Sequence, residues 1–341
     1  MAVLNYQTRL ANLQNRRFDP GLQQVMLSKS FSRSDIPENV KYMIESMLPI
    51  GKDYNDRTLK AADNVQTHLE NGFDLHFARA YRTQGSVRTG TNIKAHSDID
   101  LLTIVNRYHY PQGEPVSPYT ASVPRDDIQE LRKQATSILQ SKYDNVDANG
   151  ENCVSIFNKS LHRKVDIAFG FWYNTNDYER TNDEYYRGIY LHKHPSCNRK
   201  QDFPFAHLYN VNLKGDSTAD GSRKGVRLLK NLRADSDVEF QHLKSFQLTT
   251  IVHAIDNGQL FYQPGQELSI AHAISGELAR LIDSPVYRQS VKSPNTTEQP
   301  LGKEGIEKEL NLLKTDLDTL IEDATKDIAR SNHLQNTIKA Y

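Results

Sequence analysis

The sequence predicts an α/β (α+β) protein, with a mixed sheet in the middle of the chain and a helical lobe after it. Residues 75–173 consist mainly of short apolar segments that are typical of strands, and they enclose one amphipathic helical segment. The last third of the chain instead has apolar residues at helical spacing. The length of 341 residues suggests two lobes or domains, and we expect them over 1–220 and 221–341.

Three helices are predicted before and within the sheet. Segments 36–50 and 56–72 place their apolar residues along one helical face, and they are expected to brace the strands that follow. Segment 124–143 begins with Pro124 and acidic residues, which is typical of a helix start. We expect this helix to pack on the sheet.

The strands are predicted from apolar alternation and from β-branched residues. Segments 152–158 and 164–173 flank the turn KSLHR and are expected to form an antiparallel hairpin. Another strand is predicted over 99–105, and one more over the alternating segment that stops at Gly85. If the strand over 164–173 lies beside the strand over 99–105, the polar residues of the two strands converge.

The remaining segments are predicted to be loops and further helices. Residues 174–222 are polar without a sustained period, so we expect loops over the sheet there. Residues 284–302 are polar and rich in Pro and Ser, which favours a surface loop. A final helix is predicted after it, with an apolar face formed by Ile306, Leu310, Leu313, Leu317 and Leu320.

The composition of the chain excludes several classes of protein. Its 42 Lys+Arg balance 42 Asp+Glu, which argues against nucleic-acid binding through a basic surplus. It has no apolar run near roughly 18 residues and no secretory signal pattern, so we expect neither a membrane span nor export. Only Cys153 and Cys197 are present, which fits a reducing cytoplasm. We therefore expect a cytoplasmic globular protein.

A Gly–Ser turn and three aspartates are the strongest chemical signal in the sequence. Gly85 and Ser86 follow a predicted strand, where backbone N–H groups and a hydroxyl are free to bind phosphate oxygens. Asp98 and Asp100 lie two residues apart at the start of the next strand, which puts both carboxylates on one face. Asp166 is central in an apolar strand, where a carboxylate is unfavourable unless it is exposed or paired with a cation.

These aspartates predict a metal site. Carboxylate oxygens suit Mg²⁺, which binds them together with substrate phosphates, and three converging carboxylates match two-metal catalysis of displacement at phosphorus. Each feature alone has a simpler explanation, because an Asp-x-Asp is usually a turn or cap and a Gly–Ser is usually a loop. Asp166 alone is equally explained as an edge-strand residue facing water. The combination, in this order and on these elements, favours the metal site.

The same residues resemble a known superfamily, the polymerase-β-type nucleotidyltransferases. The resemblance is carried by Gln84-Gly85-Ser86, Gly90-Thr91, Asp98-Ile99-Asp100 and Asp166. Within the superfamily, the sequence is most similar to the cGAS/DncV-like nucleotidyltransferases (CD-NTases), which make cyclic oligonucleotide signals in bacterial anti-phage (CBASS) defence. The resemblance implies a polymerase-β-like palm with a mixed sheet in 1–220, after N-terminal helices, and a C-terminal helical lobe in 221–341 that closes a nucleotide cleft.

The resemblance extends into the helical part of the chain. Segment 225–230 is similar to the family's helix that presents a lysine to the triphosphate, and segment 243–248 is similar to its segment with a phosphate-contacting serine and a base-stacking ring. The nucleotide-binding residues that it implies are Gln84, Gly85, Ser86, Lys230, Lys244, Ser245 and Phe246. Independently, Arg223, Arg227, Lys230 and Arg233 form one basic side of a helix, which suits a triphosphate. A solvated helix face and a core aromatic at Phe246 are the simpler alternatives.

The activity implied by the resemblance is metal-dependent nucleotidyl transfer. Two Mg²⁺ (or Mn²⁺) ions on Asp98, Asp100 and Asp166 would promote attack of a 3′- or 2′-hydroxyl on an α-phosphate, with loss of pyrophosphate. A second round would close a cyclic di- or oligonucleotide. The implied partners are NTP substrates and a downstream effector that binds the product, and activation by nucleic acid is not expected.

Two other functions are open at this point. The first is a nucleotidyltransferase that acts on an RNA 3′ end, a small molecule or a protein, although the neutral chain shows no recognisable RNA-binding module. The second is a non-catalytic nucleotide-binding protein, which is disfavoured because all three metal positions are acidic. No pattern in the sequence predicts the base preference, the product size or the linkage.

Two further groups of residues have weaker signals. His192, His194 and Cys197, with His207 nearby, suggest a zinc site, but a single sulfur without Cys-x-x-Cys spacing argues against it. His96 lies beside the aspartate pair and is either a substrate contact or an incidental loop histidine.

Overall fold

The computed structural model describes residues 4–25, 27, 31–33, 35–113 and 123–339, with side chains as far as residue 330. Its strands are β1 (Phe18–Asp19), β2 (Gln24–Val25), β3 (Arg79–Gln84), β4 (Ile99–Pro111), β5 (Val146–Asp147), β6 (Cys153–Asn158), β7 (Arg163–Asn174), β8 (Arg187–His192) and β9 (Arg199–Asp202). Its helices are α1 (Tyr6–Arg17), α2 (Glu38–Met47), α3 (Lys52–Gly72), α4 (Ser86–Thr89), α5 (Pro124–Lys142), α6 (Asn176–Thr181), α7 (Pro204–Ser217), α8 (Gly221–Ala234), α9 (Ser245–Ala254), α10 (Asn257–Leu260), α11 (Leu268–Asp283), α12 (Pro285–Ser290) and α13 (Ile306–Lys339).

The larger sheet is mixed, as the sequence predicts. Its strand order is β3-β4-β7-β6-β5, with β8 paired to the later half of β7 and β9 paired to β8. Strands β4 and β7 are parallel neighbours, whereas β3 and β6 run antiparallel to them. The predicted hairpin is confirmed as β6–β7, and the strand predicted over 99–105 continues to Pro111.

One face of this sheet is covered by α3 and α5. Ile99, Leu101 and Val165 are fully buried on that face and belong to one hydrophobic cluster with residues of both helices. Because successive strand residues point to opposite faces, Asp100 and Asp166 lie on the other face. The helix predicted to pack on the sheet is therefore confirmed, and it lies on the face opposite to Asp100 and Asp166.

The helical lobe is built from both ends of the chain. Leu13 of α1 and Met47 of α2 belong to the same hydrophobic cluster as Leu229 of α8 and Leu317 of α13. All four side chains are almost completely buried. The N-terminal helices therefore pack on the C-terminal ones, and the division of the chain at residue 220 stays a prediction.

Two predicted loop regions contain regular or buried structure. The segment 174–222, predicted as loops, instead includes α6, β8, β9 and α7, because β8 extends the sheet from the later half of β7. The segment 284–302, predicted as a surface loop, begins with α12 and then buries Val291, Ser293 and Asn295. The loop predictions for these two segments are therefore wrong. A segment whose polar side chains are buried and hydrogen-bonded has the same amino-acid composition as a solvated loop.

Among the described residues, no helix has both the length and the apolar character that a membrane crossing requires.

Candidate active site

The Gly85–Ser86 turn joins β3 to the short helix α4 beside Asp100. Gly85 has a φ of 99°, a conformation that L side chains rarely adopt, and a Cβ there would lie 3.3 Å from Asp100 Oδ2. Glycine is therefore needed for the turn, and it allows the chain to approach the carboxylate closely. The turn is closed by the Thr91 N–H, which donates to the Ser86 carbonyl at 2.9 Å.

Asp98, Asp100 and Asp166 form an acid cluster at the edge of this turn. Asp100 and Asp166 are paired in register on the parallel strands β4 and β7, and Asp98 is the exposed residue directly before β4. Burial, together with the negative charges of Asp166 and Asp98, raises the pKa of Asp100 to about 6. Its charged form is therefore unfavourable in the absence of a cation.

Lys164 supplies a cation to two members of the acid cluster. Its Nζ lies 3.8 Å from Asp98 Oδ2 and 2.8 Å from an Asp166 carboxylate oxygen, and the Ser155 hydroxyl also donates to Asp166. In the part of the chain that the structure describes, no three His, Cys, Asp or Glu side chains are arranged to hold a metal ion. The donors nevertheless fit a divalent cation, because they are hard oxygens with uncompensated charge at Asp100. Coordination would require Lys164 to move aside.

Helix α8 binds the segment that follows the turn through three successive backbone carbonyls. Arg223 Nε donates to the Thr89 carbonyl at 3.1 Å, and Arg227 Nη1 donates to the Gly90 carbonyl at 2.6 Å. Lys230 Nζ completes the series by donating to the Thr91 carbonyl at 3.0 Å. We call these three contacts the α8 clamp. The predicted basic side of the helix is thus turned toward the protein, so the alternative of a solvated face is wrong for these three residues.

Lys230 is the member of the α8 clamp that also reaches the cavity. Burial lowers the pKa of Lys230 to about 7, with Arg233 and Arg227 lowering it further through their charges. An anionic ligand beside this buried ammonium group would stabilise its charged form and raise its pKa back toward the ordinary value.

The turn, the acid cluster and α8 meet at one cavity of about 340 Å³. This volume is within the range of small-molecule sites. Its lining residues are Gln84, Gly85, Ser86, Thr89, Thr91, Asp100, Asp202, Pro204, His207, Leu208, Lys230, Ser245, Phe246, Thr249 and Asn295.

Phe246 is part of an aromatic pair in this cavity. The ring of His207 is stacked on it, with centroids 5.5 Å apart and planes at 29°. Burial, with His253 and Lys230, lowers the pKa of His207 to about 4, and its Nδ1 has no hydrogen-bond partner among the described residues. The cavity therefore has a neutral aromatic wall suited to a flat ring.

Most of the sequence-predicted residues lie around this cavity. Those that line it are Gln84, Gly85, Ser86, Asp100, Lys230, Ser245 and Phe246. Asp98 and Asp166 are not among the lining residues, although both interact with Asp100. Lys244 lines a neighbouring cavity, which it shares with Ser245 and Phe246. His96 contacts the Phe18 carbonyl at 3.3 Å and does not line the cavity.

Several lining residues are not predicted from the sequence, among them the polar residues Asp202, Thr249 and Asn295. Asp202 and Asn295 lie in the two segments that were predicted as loops, and neither belongs to a motif. His207 had been considered only as a metal ligand near Cys197, whose Sγ instead accepts a hydrogen bond from Gln129.

Curated proteins with similar sequences include cyclic dinucleotide synthases. No family model matches the sequence. The chain is 29% identical over 296 residues to a c-di-GMP synthase from Lachnospiraceae bacterium (strain RUG226), covering 79% of this chain and 84% of the relative. It is 28% identical to the cyclic dinucleotide synthase CdnE of Yersinia aleksiciae, over 93% of this chain and 86% of the relative.

The fold is also found among solved structures. The STING-associated CdnE c-di-GMP synthase from Flavobacteriaceae sp. superposes with a TM-score of 0.81 at 22% identity, over 95% of this chain and 99% of that one. The corresponding protein from Capnocytophaga granulosa gives a TM-score of 0.78 at 24% identity, over the same shares of the two chains. The chain is thus similar to cyclic dinucleotide synthases of the CdnE type, which are CD-NTases. The predicted similarity to the CD-NTases and the predicted polymerase-β-like fold are thereby confirmed.

Asp100→Asn is expected to stabilise the metal-free protein at neutral pH. The pKa of Asp100 is higher in the folded protein than in the unfolded chain, so the folded protein loses stability as the pH rises, here by about 3 kcal/mol between about pH 4 and 6. Thermal unfolding in EDTA should therefore give the variant a Tm a few degrees above the wild type at pH 7.5, and little difference at about pH 4, where Asp100 is largely protonated in both the folded and the unfolded protein.

Adding Mg²⁺ or Mn²⁺ should raise the Tm of the wild type and of Asp63→Asn, an exposed control on α3, but not that of Asp100→Asn. An equal metal-induced rise in all three proteins would contradict the assignment of Asp100 as a metal ligand.

Triphosphate affinity is expected to fall as the pH rises from 6 to 8, because Lys230 loses its proton near pH 7 in the free protein. Calorimetric titration with a non-hydrolysable NTP should show a decrease approaching roughly tenfold per pH unit above the pKa. Lys230→Met should bind more weakly and with a flatter pH dependence, whereas the exposed control Lys133→Met should match the wild type. Equal pH slopes in the wild type and Lys230→Met would refute this role of Lys230.

Proposed function

We propose that this protein is a metal-dependent cyclic dinucleotide synthase, which joins two NTPs through two phosphodiester bonds and releases two pyrophosphates. The observation that carries the proposal is the meeting of the Gly85 turn, Asp100 and Lys230 at one cavity. A phosphate-binding turn, a carboxylate in need of a cation and a buried ammonium group are the three partners that a metal-bound triphosphate requires.

The triphosphate would lie between the turn and α8. The Ser86 hydroxyl and the backbone of the turn would bind the phosphate oxygens on one side, and Lys230 would bind them on the other. Ser245, at the first position of α9 and on the cavity wall, would add a hydroxyl donor. The aromatic pair of Phe246 and His207 would stack on the base and fix the nucleotide's orientation.

Asp98, Asp100 and Asp166 would hold two Mg²⁺ or Mn²⁺ ions, which lower the pKa of the attacking hydroxyl and neutralise the triphosphate. The hydroxyl oxygen of one nucleotide forms a bond to the α-phosphorus of the other, and the bond from that phosphorus to the pyrophosphate oxygen breaks. The hydroxyl proton leaves to solvent or to a carboxylate of the acid cluster. Repetition within the linear dinucleotide closes the ring.

The relatives suggest the biological setting of this activity. Two of them are named for c-di-GMP synthesis in association with STING, which supports c-di-GMP as the product and an effector that binds it. We accordingly propose a role in anti-phage signalling, with the helices of 221–341 closing the cleft over the sheet that lies within 1–220. Lys244 would contact the nucleotide from the neighbouring cavity.

Replacement of Asp98 or Asp166 by Asn is expected to reduce cyclic-product formation by at least about 100-fold, because charge compensation at the transferred phosphate is lost. The purified proteins are incubated with labelled NTPs and Mg²⁺ or Mn²⁺ and then with phosphatase, and the resistant product is separated. Asp63→Asn on the opposite side of the sheet is the matched control and should retain full activity.

Normal turnover by either variant would refute the acid cluster as the catalytic centre. A linear or acceptor-linked product from the wild type would instead indicate a nucleotidyltransferase with another acceptor.

A further inference from the structure

A carboxylate outside the acid cluster lines the same cavity. Asp202 is the last residue of β9 and is separated from α7 by Phe203 alone, whose N–H donates to Asp202 Oδ1 at 2.8 Å. The charge of Asp202 affects the pKa of Asp100 less than the charges of the acid cluster do. Asp202 is therefore a separate group, fixed by its own backbone contact.

A free carboxylate is unfavourable in a cavity that takes a polyanion. Burial also raises the pKa of Asp202, because the charged form is removed from water. Such a group is compatible with nucleotide binding only if the ligand donates hydrogen bonds to it, and the donors of a nucleotide away from its phosphates are on its base and ribose. Asp202 thus indicates a partner with N–H or O–H groups.

A hydrogen-bond donor lines the cavity together with Asp202. Asn295 is almost completely buried, and its Oδ1 accepts from the Ser293 hydroxyl at 2.5 Å and from the Thr297 N–H at 3.3 Å. These contacts orient the amide, and within the described part of the chain its Nδ2 makes no hydrogen bond. The Nδ2 donor is therefore available to a ligand in the cavity.

We propose that Asp202 and Asn295 select guanine as the base bound in this cavity. Guanine presents two adjacent donors, N1–H and the N2 amino group, beside the acceptor O6. The Asp202 carboxylate accepts from both donors, and the Asn295 amide donates to O6. The assignment rests on the proposed function only in that the ligand is a nucleotide.

The other bases do not match this pair of groups. Adenine presents the acceptor N1 beside one amino group, so its N1 lone pair would face the carboxylate without a proton between them. Cytosine has the same mismatch at N3, and the single N–H of uracil is flanked by two carbonyl oxygens that repel a carboxylate. Of the four bases, guanine alone donates two hydrogen bonds to the carboxylate. Binding of the other bases is disfavoured because it leaves Asp202 without these hydrogen bonds.

Asp202→Asn tests the proposal with an almost unchanged shape. Asn offers one acceptor and one donor, which match the amino group and N1 of adenine. Binding of non-hydrolysable GTP and ATP analogues is measured by calorimetry, and the base composition of the product is measured by mass spectrometry. We expect the wild type to prefer the GTP analogue by roughly 10–100-fold and the variant to lose at least tenfold of that preference.

Glu298→Gln is the matched control. Glu298 is close enough to raise the pKa of Asp202 but does not line the cavity, so its neutralisation should affect both analogues equally. An unchanged preference for the GTP analogue in Asp202→Asn, or a wild type that binds the ATP analogue as well as the GTP analogue, would overturn the proposal.

Asn295→Asp provides an independent test should Asp202→Asn fail to fold. Asp at this position keeps the acceptor for Ser293 and Thr297 but removes the donor to O6, so the GTP analogue should bind at least tenfold more weakly. Unchanged binding would count against the proposal. A wild type that binds the GTP analogue selectively but makes no cyclic product would refute the proposed function and leave the base selection supported.

Discussion

The α8 clamp is the interaction on which the rest of the site depends. Arg223, Arg227 and Lys230 lie on one side of α8, and their side chains bind the carbonyls of Thr89, Gly90 and Thr91 in order. The turn after β3 is thereby attached to the helical lobe as well as to the sheet. Because the phosphate-binding turn is held from both lobes, its position relative to Asp100 is determined by their packing.

The cavity is lined by an acidic and a basic side chain whose charged forms are both unfavourable without a ligand. Burial and the charges of Asp166 and Asp98 raise the pKa of Asp100, and burial lowers the pKa of Lys230, so neither group is in its preferred environment without a ligand. A metal-bound triphosphate brings cations to the first and anions to the second. Part of the binding free energy therefore comes from relieving strain that the folded protein carries, which is typical of functional sites.

The sequence predicts the part of the site that lies next to strand ends. Gly85, Asp98 and Asp100 are close in the chain, and Asp166 is conspicuous as a charge in an apolar strand, so local pattern and resemblance to a family suffice to find them. Asp202 and Asn295 could not be found in this way. A polar side chain that faces a cavity has the same local hydropathy as one that faces solvent, and only the tertiary structure distinguishes the two.

The sequence also does not predict which surface the N-terminal helices pack against. The apolar face of α2 is evident in the sequence, but its partner is more than a hundred residues away, in α8. The amphipathic period predicts that a helix buries one face and does not specify which surface covers it. From the order of the chain, α1 and α2 are predicted to be part of the catalytic core. In the structure, their buried residues instead belong to one hydrophobic cluster with the C-terminal helices.

This arrangement gives the first helices a direct connection to the cavity. The last carbonyls of α2 have no intrahelical partner, and α8 side chains supply it: Arg227 Nε donates to Met47 at 2.7 Å, and Asn231 Nδ2 donates to Ser46 at 2.9 Å. Arg227 therefore links the end of α2 to the Gly90 carbonyl with two arms of one guanidinium. Because a planar guanidinium cannot change the angle between its donors, a shift of α2 must be followed by α8, the turn or both.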